Sequence, residues 1–212
     1  MIISKNKIIE SLFSVLILIL FINTSFANNP VRIMLYGDSL MAGYGLAQNE
    51  NLAEELNRNL QMNENTFSIL NASISGNTSK NGLSRIDWSL GDNPDIVILC
   101  LGANDVLRGI SPELTMANLD SIINKFIKNG SIVILAGMLS PENMGPEYQN
   151  KFDSIYPKLA KNYDLIFMPF LLEGVALDKK YLQSDYKHPN KLGIKIIASN
   201  LLPYVNEALT KI

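Results

Sequence analysis

Ser39 is the first residue in the chain whose type and placement could do chemistry. It follows the apolar run Val31–Tyr36, which is typical of a buried strand and ends at Gly37-Asp38-Ser39. A strand that breaks at Gly and turns into a helix places the next side chains above the carboxyl edge of a parallel sheet, where open α/β sheets bind ligands. A hydroxyl there could be a nucleophile. Ser is also a good helix N-cap, so this stretch alone does not decide between the two roles.

His188 is the candidate base for that hydroxyl, because it is the only His in the chain. A Ser nucleophile needs an adjacent base, and imidazole serves near neutral pH. Asp185 stands three residues before His188, a spacing that brings side chains together across one turn. The carboxylate could orient the ring and stabilise the imidazolium that forms when Ser39 loses its proton. Pro189 disfavours helical geometry at His188 and predicts that the ring lies at the end of the turn. Taken alone, an Asp-x-x-His pair favours a surface or structural His over a catalytic one.

Donors for a developing oxyanion follow the next two predicted strands. Acyl transfer needs N–H groups aimed at the carbonyl oxygen as it becomes charged. The backbone N–H groups of Ser39 and Gly76 and the side-chain amide of Asn104 could supply them. Gly76 would let the backbone approach a ligand closely. Taken singly, Gly76 is also an ordinary turn residue and Asn104 a loop-capping amide.

The elements that must position these residues alternate along the chain. Apolar runs predict five strands: Val31–Tyr36, Thr66–Leu70, Ile96–Leu101, Ser131–Ala136 and Leu165–Met168. Periodicity and capping signals predict helices at Asn49–Met62, Lys80–Leu90, Pro112–Asn129 with Ser111 as N-cap, Tyr148–Asn162 with Pro157 as a potential bend, and Asn190–Leu209. Continuously apolar strands separated by helices predict a parallel sheet covered on both faces. We assign Trp88 and the Met residues to the core.

The candidate residues together resemble the SGNH, or GDSL, hydrolase family. The chain is most similar to the bacterial periplasmic acyl-CoA thioesterase I/lysophospholipase L1 branch and its arylesterase relatives. The four signature blocks stand in the family's order, and they are Gly37-Asp38-Ser39-Leu40, Gly76, Gly102-x-Asn104-Asp105 and Asp185-x-x-His188. Further stretches similar to that branch are Asn71–Gly76, Leu107–Gly109, Ile155–Lys161 and His188–Asn190. The resemblance covers essentially the whole chain after residue 27.

The resemblance implies a three-layer α/β/α domain of flavodoxin-like type with a five-stranded parallel sheet. By position, Ser39 matches the family's nucleophile, His188 its base and Asp185 its orienting acid. Members of this branch hydrolyse thioesters, aryl esters, short-chain esters and lysophospholipids. An esterase or thioesterase with a serine nucleophile is therefore the expected activity.

The same resemblance implies an oxyanion hole. The Ser39 N–H, the Gly76 N–H and the Asn104 amide match its donors. Asp38 and Asp105 match residues that we expect to support the loops, and the role of Arg108 stays open.

Three apolar stretches could form a wall for an acyl chain: Val106–Leu107, Leu139–Tyr148 and Leu171–Leu177. Plain packing is an equally good interpretation of each. The wall therefore stays a hypothesis at this point.

Composition limits the class of protein and its partners. With 47% hydrophobic and 18% charged residues in 212, the chain can bury one sizeable core, and no linker or repeat divides it. We expect one hydrolase domain, residues 28–212, acting as a monomer on small-molecule or lipid esters. The formal charge of −2 argues against nucleic-acid or anionic-membrane partners. One His and one Cys cannot supply a typical zinc site, and no nucleotide-binding motif exists, so we expect no cofactor.

Residues 1–27 differ from the rest and predict a signal peptide. Lys5 and Lys7 precede the apolar run Leu12–Ile22, and Ser25 and Ala27 suit a cleavage site. The run is shorter than the about 20 residues that a membrane-spanning helix needs. We therefore expect cleavage after Ala27, a periplasmic or secreted protein, and no stable membrane anchor.

The lone Cys of the chain has no intrachain partner for a disulfide in the oxidising compartment that export would imply. Cys100 stands inside an apolar run, so we expect it in the core.

Two other functions stay open. The natural substrate could be an O-acetylated cell-envelope glycan rather than an acyl lipid. The chain could also be a silent binding module on a hydrolase scaffold, because folds outlive functions.

Overall fold

The structure is a computed structural model that describes residues 30–60 and 67–212. The predicted signal peptide, residues 1–27, lies outside the described residues. So do Met62 and Thr66, the predicted ends of the first long helix and the second strand.

Five parallel strands form one sheet in the order β2-β1-β3-β4-β5. The strands are β1 (Val31–Gly37), β2 (Phe67–Asn71), β3 (Ile96–Cys100), β4 (Ile132–Ala136) and β5 (Ile166–Met168). This is the flavodoxin-like order, and it confirms the predicted parallel α/β architecture. The order reverses between β1 and β3, so their carboxyl ends flank a crevice.

Burial along the strands follows their place in the sheet. Every residue of β3, at the centre, is buried, which explains its unbroken apolar sequence. In β2, at an edge, exposed and partly buried residues alternate. Cys100, the last residue of β3, lies in the core as predicted.

Eight α-helices are present in the described part of the chain. They are α1 (Ser39–Ala42), α2 (Leu52–Leu60), α3 (Ser79–Leu90), α4 (Ala103–Leu107), α5 (Pro112–Lys128), α6 (Pro146–Asp153), α7 (Ile155–Tyr163) and α8 (Lys191–Leu209). Short 3-10 turns occupy Gln48–Glu50 and Glu142–Met144. Helices α2 and α8 pack together on one face of the sheet, and α3, α5, α6 and α7 cover the other. None of the described helices has the length and apolar character needed to cross a membrane.

The helix caps explain where two of the predicted helices begin. The Ser111 hydroxyl accepts a hydrogen bond from the Leu114 N–H at 3.3 Å, with Pro112 in the first turn of α5. The Asn190 side chain accepts from the N–H groups of Leu192 and Gly193 at the start of α8. Both predicted caps are confirmed.

The predicted helix Tyr148–Asn162 is divided into α6 and α7. The break lies at Ser154 and not at Pro157. Proline has no N–H to donate to the residue four before it, and its ring clashes there, so a continuous helix would be strained. Beginning α7 at Ile155 places Pro157 in a first turn, where proline is tolerated.

The prediction that Trp88 lies in the core is wrong, because 82% of its surface is exposed. The buried positions of α3 are Ser79, Gly82, Ile86 and Ser89, which lie on the opposite side of the helix. The described Met residues do lie in the core or against it.

Candidate active site

Ser39 lies where β1 passes directly into α1. Asp38 is the N-cap of this short helix, and its Oδ1 accepts a hydrogen bond from the Leu40 N–H at 3.0 Å. Gly37 is required for close approach, since a Cβ there would lie 2.7 Å from both the Cys100 carbonyl oxygen and the Met41 sulfur. The capping role weighed for Ser39 therefore belongs to Asp38, and the Ser39 hydroxyl remains available.

A continuous chain of hydrogen bonds joins Ser39, His188 and Asp185. The Ser39 Oγ lies 2.9 Å from His188 Nε2, and His188 Nδ1 lies 2.6 Å from Asp185 Oδ2. The structure thus brings together a hydroxyl, an imidazole and a carboxylate that are separated by 149 and 3 positions in the sequence. This arrangement can transfer a proton from the hydroxyl to the ring.

The segment that carries His188 is held by its own polar groups. Asp185 Oδ1 accepts from the backbone N–H groups of Lys187 and His188, both at 3.0 Å. Gln183 donates from its side chain to the carbonyl oxygens of Tyr44 and Pro189, which ties this segment to the loop after α1. The Tyr44 ring lies against the imidazole, with 4.5 Å between ring centroids.

The hydrogen bond from the His188 ring is the main reason that the pKa of Asp185 is held well below its usual range. The two backbone N–H groups lower it further. Asp185 therefore stays ionised in neutral and mildly acidic solution. An ionised carboxylate at this position fixes the ring tautomer that leaves Nε2 free to accept a proton from Ser39.

The three predicted oxyanion donors lie at the same edge of the sheet. Ser39, Gly76 and Asn104 all line one cavity. Gly76 has a φ of +81°, a left-handed backbone conformation that favours glycine. Both hydrogens of the Asn104 amide have partners, with Asp38 Oδ2 at 3.2 Å and the Asn77 carbonyl oxygen at 3.1 Å. An oxyanion would have to share or replace one of these acceptors.

Asp38 and Asp105 support these loops from inside the protein. Burial raises the pKa of Asp38 to about 6, against the hydrogen bonds from Leu40 and Asn104 that favour its ionised form. Asp105 accepts hydrogen bonds from the Ser79 N–H at 2.8 Å and from the Thr115 hydroxyl at 3.1 Å. These bonds hold the start of α3, α4 and the start of α5 together.

Sequence reasoning gave no role to Arg85 and left that of Arg108 open. Arg108 donates to the Gly76 carbonyl oxygen at 2.9 Å, at the exposed rim of the site. Arg85 donates to Asn77, Ala72 and Gly37. The acceptors of Arg85 lie 8, 13 and 48 positions away, so no local pattern could have identified it.

The cavity beside Ser39 has a volume of about 1030 Å³. Each of the three predicted apolar stretches contributes residues to its lining, among them Val106, Leu107, Leu139, Leu172 and Leu177. Leu171 and Tyr148 belong to the same stretches but do not line it. The cavity is large enough for a substrate with an apolar chain.

Residues 30–60 and 67–212 contain no cluster of metal-binding side chains. No group of three or more His, Cys, Asp or Glu residues is close enough there to hold a metal ion.

Comparison with known proteins gives consistent matches over most of the chain. Residues 35–196 match the model of the GDSL-like Lipase/Acylhydrolase family. The chain is 37% identical to "Thioesterase 1/protease 1/lysophospholipase L1" of Escherichia coli K12, over 82% of this chain and 85% of that protein. It is 36% identical to an arylesterase of Vibrio mimicus, over 74% of this chain and 80% of that protein.

A solved structure with the same fold is that of the psychrotrophic esterase EstA from Pseudoalteromonas sp., inhibited by monoethylphosphonate. The TM-score is 0.80 at 30% identity, covering 85% of this chain and 99% of EstA. The chain is therefore a member of the GDSL/SGNH hydrolase family, and it is an enzyme that hydrolyses ester bonds.

Proposed function

We propose that the protein is an exported serine esterase or thioesterase that acts through an acyl-enzyme on Ser39. The observation that carries the proposal is the hydrogen-bonded chain Ser39–His188–Asp185 at the mouth of an apolar cavity. The thioesterase, lysophospholipase and arylesterase activities named for the relatives give the substrate range.

In the first half of the reaction, His188 Nε2 accepts the proton of Ser39 Oγ, which attacks the carbonyl carbon of the substrate. The imidazolium is stabilised by the ionised Asp185. The tetrahedral intermediate places its oxyanion among the N–H groups of Ser39 and Gly76 and the amide of Asn104. As the intermediate collapses, His188 protonates the leaving alcohol or thiol, and the acyl group remains on Ser39.

In the second half, water replaces the leaving group. His188 accepts a proton from this water, which attacks the acyl carbon and forms a second tetrahedral intermediate. Its collapse returns the proton to Ser39 and releases the carboxylic acid. No metal ion takes part in these steps, so we expect EDTA to leave the rate unchanged.

The apolar cavity supports acyl chains longer than acetyl. Its wall includes Leu107, Leu139 and Leu177, and burial of each methylene of a chain contributes about 0.8 kcal/mol. We expect p-nitrophenyl hexanoate and octanoate to be hydrolysed with a higher kcat/KM than the acetate. A profile confined to acetate would instead indicate an O-acetyl glycan.

The nucleophile is tested by covalent labelling. The protein is treated with a p-nitrophenyl phosphonate ester, and the adduct is located by mass spectrometry of its peptides. We expect one adduct, on Ser39, and none in Ser39→Ala. Modification of another residue, or full esterase activity in Ser39→Ala, would contradict the proposal.

Export is tested separately by expressing the full chain in a Gram-negative host. We expect the mature protein in the periplasm or the medium, with Asn28 as its first residue. A protein that keeps residues 1–27 would contradict the proposed signal peptide.

A further inference from the structure

Arg85 contacts three positions at the carboxyl edge of the sheet. Its Nε donates to Asn77 Oδ1 at 2.8 Å, its Nη1 to the Ala72 carbonyl oxygen at 2.7 Å, and its Nη2 to the Gly37 carbonyl oxygen at 3.2 Å. Each of the three nitrogens has its own acceptor. One planar group therefore connects the end of β1 with both the beginning and the later part of the loop that follows β2.

The surroundings of this guanidinium are uncharged. Within the described residues, no carboxylate lies within 4.0 Å of it. The group is half-buried and lies over the Tyr36 ring, 4.0 Å from the centroid. Its contacts are with backbone carbonyls, one amide and an aromatic face, so they fix the geometry of loops rather than neutralise a charge.

Two of the proposed oxyanion donors lie close in the chain to residues that Arg85 contacts, and the third donor is hydrogen-bonded to one of these residues. Gly37 is the last residue of β1, and Ser39 follows two residues later at the start of α1. Asn77 directly follows Gly76. The Asn77 carbonyl oxygen also accepts one hydrogen of the Asn104 amide at 3.1 Å. Arg85 is thus connected to all three donors through these contacts, although it does not line the cavity.

We propose that Arg85 is a positioning residue for the oxyanion hole: it holds the Gly37, Ala72 and Asn77 segments so that Ser39, Gly76 and Asn104 point at one place. This inference rests on the proposed function. Arg85 does not touch the substrate, and it acts through Asn77, Ala72 and the end of β1.

Displaced donors affect the transition state more than the bound ester, since the charge on the oxygen develops only as the tetrahedral intermediate forms. Loss of Arg85 should therefore lower kcat and leave KM nearly unchanged. A displacement of about 1 Å in an active site can cost on the order of 100-fold in rate.

The first experiment compares Arg85→Met and Arg85→Lys with the control Arg32→Met. Arg32 is also on the sheet and donates to the Asp92 carbonyl oxygen, but it lies at the opposite end of β1. For p-nitrophenyl butyrate at a temperature well below every Tm, we expect kcat to fall roughly 100-fold in Arg85→Met. We expect a smaller loss in Arg85→Lys and less than a twofold change in Arg32→Met. A folded Arg85→Met with kcat within twofold of wild type would overturn the proposal.

The second experiment is a double-mutant cycle between Arg85→Met and Asn104→Ala. If Arg85 acts by aiming the amide, its loss should cost little more once that amide is gone, so the two effects on kcat should be far from multiplicative. Multiplicative losses would show that Arg85 acts independently of the oxyanion hole, against the proposal. A wild-type kcat in Asn104→Ala would instead contradict the proposed oxyanion hole itself, which distinguishes the two failures.

Should Arg85→Met not fold, Asn77→Ala replaces it in the cycle. This variant removes the acceptor of Arg85 Nε and keeps the backbone carbonyl that contacts Asn104. We expect about a tenfold loss in kcat with KM unchanged. An unchanged kcat in Asn77→Ala would overturn the proposal.

Discussion

The segment that carries Asp185 and His188 and the crevice that carries Ser39 and Asn104 hold their polar groups in different ways. In the segment, Asp185 and His188 are 37% and 19% exposed, and the carboxylate takes its hydrogen bonds from residues two and three positions away. In the crevice, Asp38 is 1% exposed, and its bond from Asn104 spans 66 positions. Asp185 and His188 are thus held by local contacts, whereas Asn104 is held by a buried carboxylate from a distant part of the chain.

This difference indicates that the two sides will respond differently to substitution. Changes in the exposed segment should alter the chemistry and leave the fold intact. Changes in the crevice should alter both, because removal of one partner leaves a buried polar group without its hydrogen bond.

His188→Ala should have the largest effect on rate and a small effect on stability. We expect kcat for a p-nitrophenyl ester to fall by about 10⁴-fold or more, because no other imidazole can accept the Ser39 proton. The Tm should change little, since the hydrogen bonds that hold the segment come from its backbone, Gln183 and Asp185. Kinetics and thermal unfolding of the same preparation measure both. A loss of Tm as large as that of crevice variants would contradict the comparison.

Asn104→Ala should lower both kcat and the free energy of unfolding. Loss of one oxyanion donor costs roughly 10² to 10³ in kcat. The variant also leaves the buried Asp38 Oδ2 without its partner, which should lower the free energy of unfolding by about 1 to 3 kcal/mol. Urea unfolding checks the second effect. A free energy of unfolding equal to that of wild type would show that the bond between Asn104 and the buried Asp38 does not stabilise the crevice.

Asp38→Asn should reveal a pH dependence of stability that belongs to the crevice. Because burial raises the pKa of Asp38 to about 6, the native protein binds more protons than the unfolded chain between about pH 4 and pH 6. Stability from this group is therefore lost as the pH rises through that window, by on the order of 3 kcal/mol in total. The free energy of unfolding of wild type minus that of Asp38→Asn, measured with urea, should fall from pH 4 to pH 7. A constant difference would contradict the burial of this charge.

Asp185→Asn provides the matched control with the opposite sign. The native pKa of Asp185 is lowered, so its contribution to stability is present above the usual Asp range and is lost as the pH falls below it. In acid solution, the free energy of unfolding of wild type minus that of Asp185→Asn should therefore rise with pH. If the two stability differences changed with pH in the same direction, the distinction between the crevice and the segment that carries Asp185 would be lost.

Leu177→Asn should have the smallest effect. Leu177 lines the cavity, is 97% exposed and has a φ of +68°, a conformation that Asn adopts more readily than Leu. We expect the free energy of unfolding to rise by about 0.5 to 1 kcal/mol. The kcat/KM for p-nitrophenyl octanoate should fall slightly. Leu192→Asn, on an exposed helical Leu, is the control and should gain no stability.

The strands could be predicted because each apolar run is a local feature of the sequence. The candidate site residues could be predicted because they stand in four short motifs that follow the order of the family that the chain resembles. The apolar runs of β3 and β4 gave strands that agree with the structure to within one residue at each end. The spacing of Asp185 and His188 already indicated contact across a turn.

Features that depend on distant parts of the chain could not be predicted in this way. Trp88 was assigned to the core by residue type, whereas the side of α3 that faces inward is set by packing against α5. The three acceptors of Arg85 come together only when β1 and β2 pair. The left-handed conformation at Leu177 has no sequence signal, because Leu rarely adopts it.

The exposed position of Trp88 determines what optical methods can report. It is the sole tryptophan of the chain, it is already in water in the native state, and it does not line the cavity. Intrinsic fluorescence should therefore shift little in wavelength on denaturation and stay unchanged when a fatty acyl ligand enters. Tyr44→Trp in a Trp88→Phe background would place the fluorophore beside the His188 ring, where its emission could follow acylation directly.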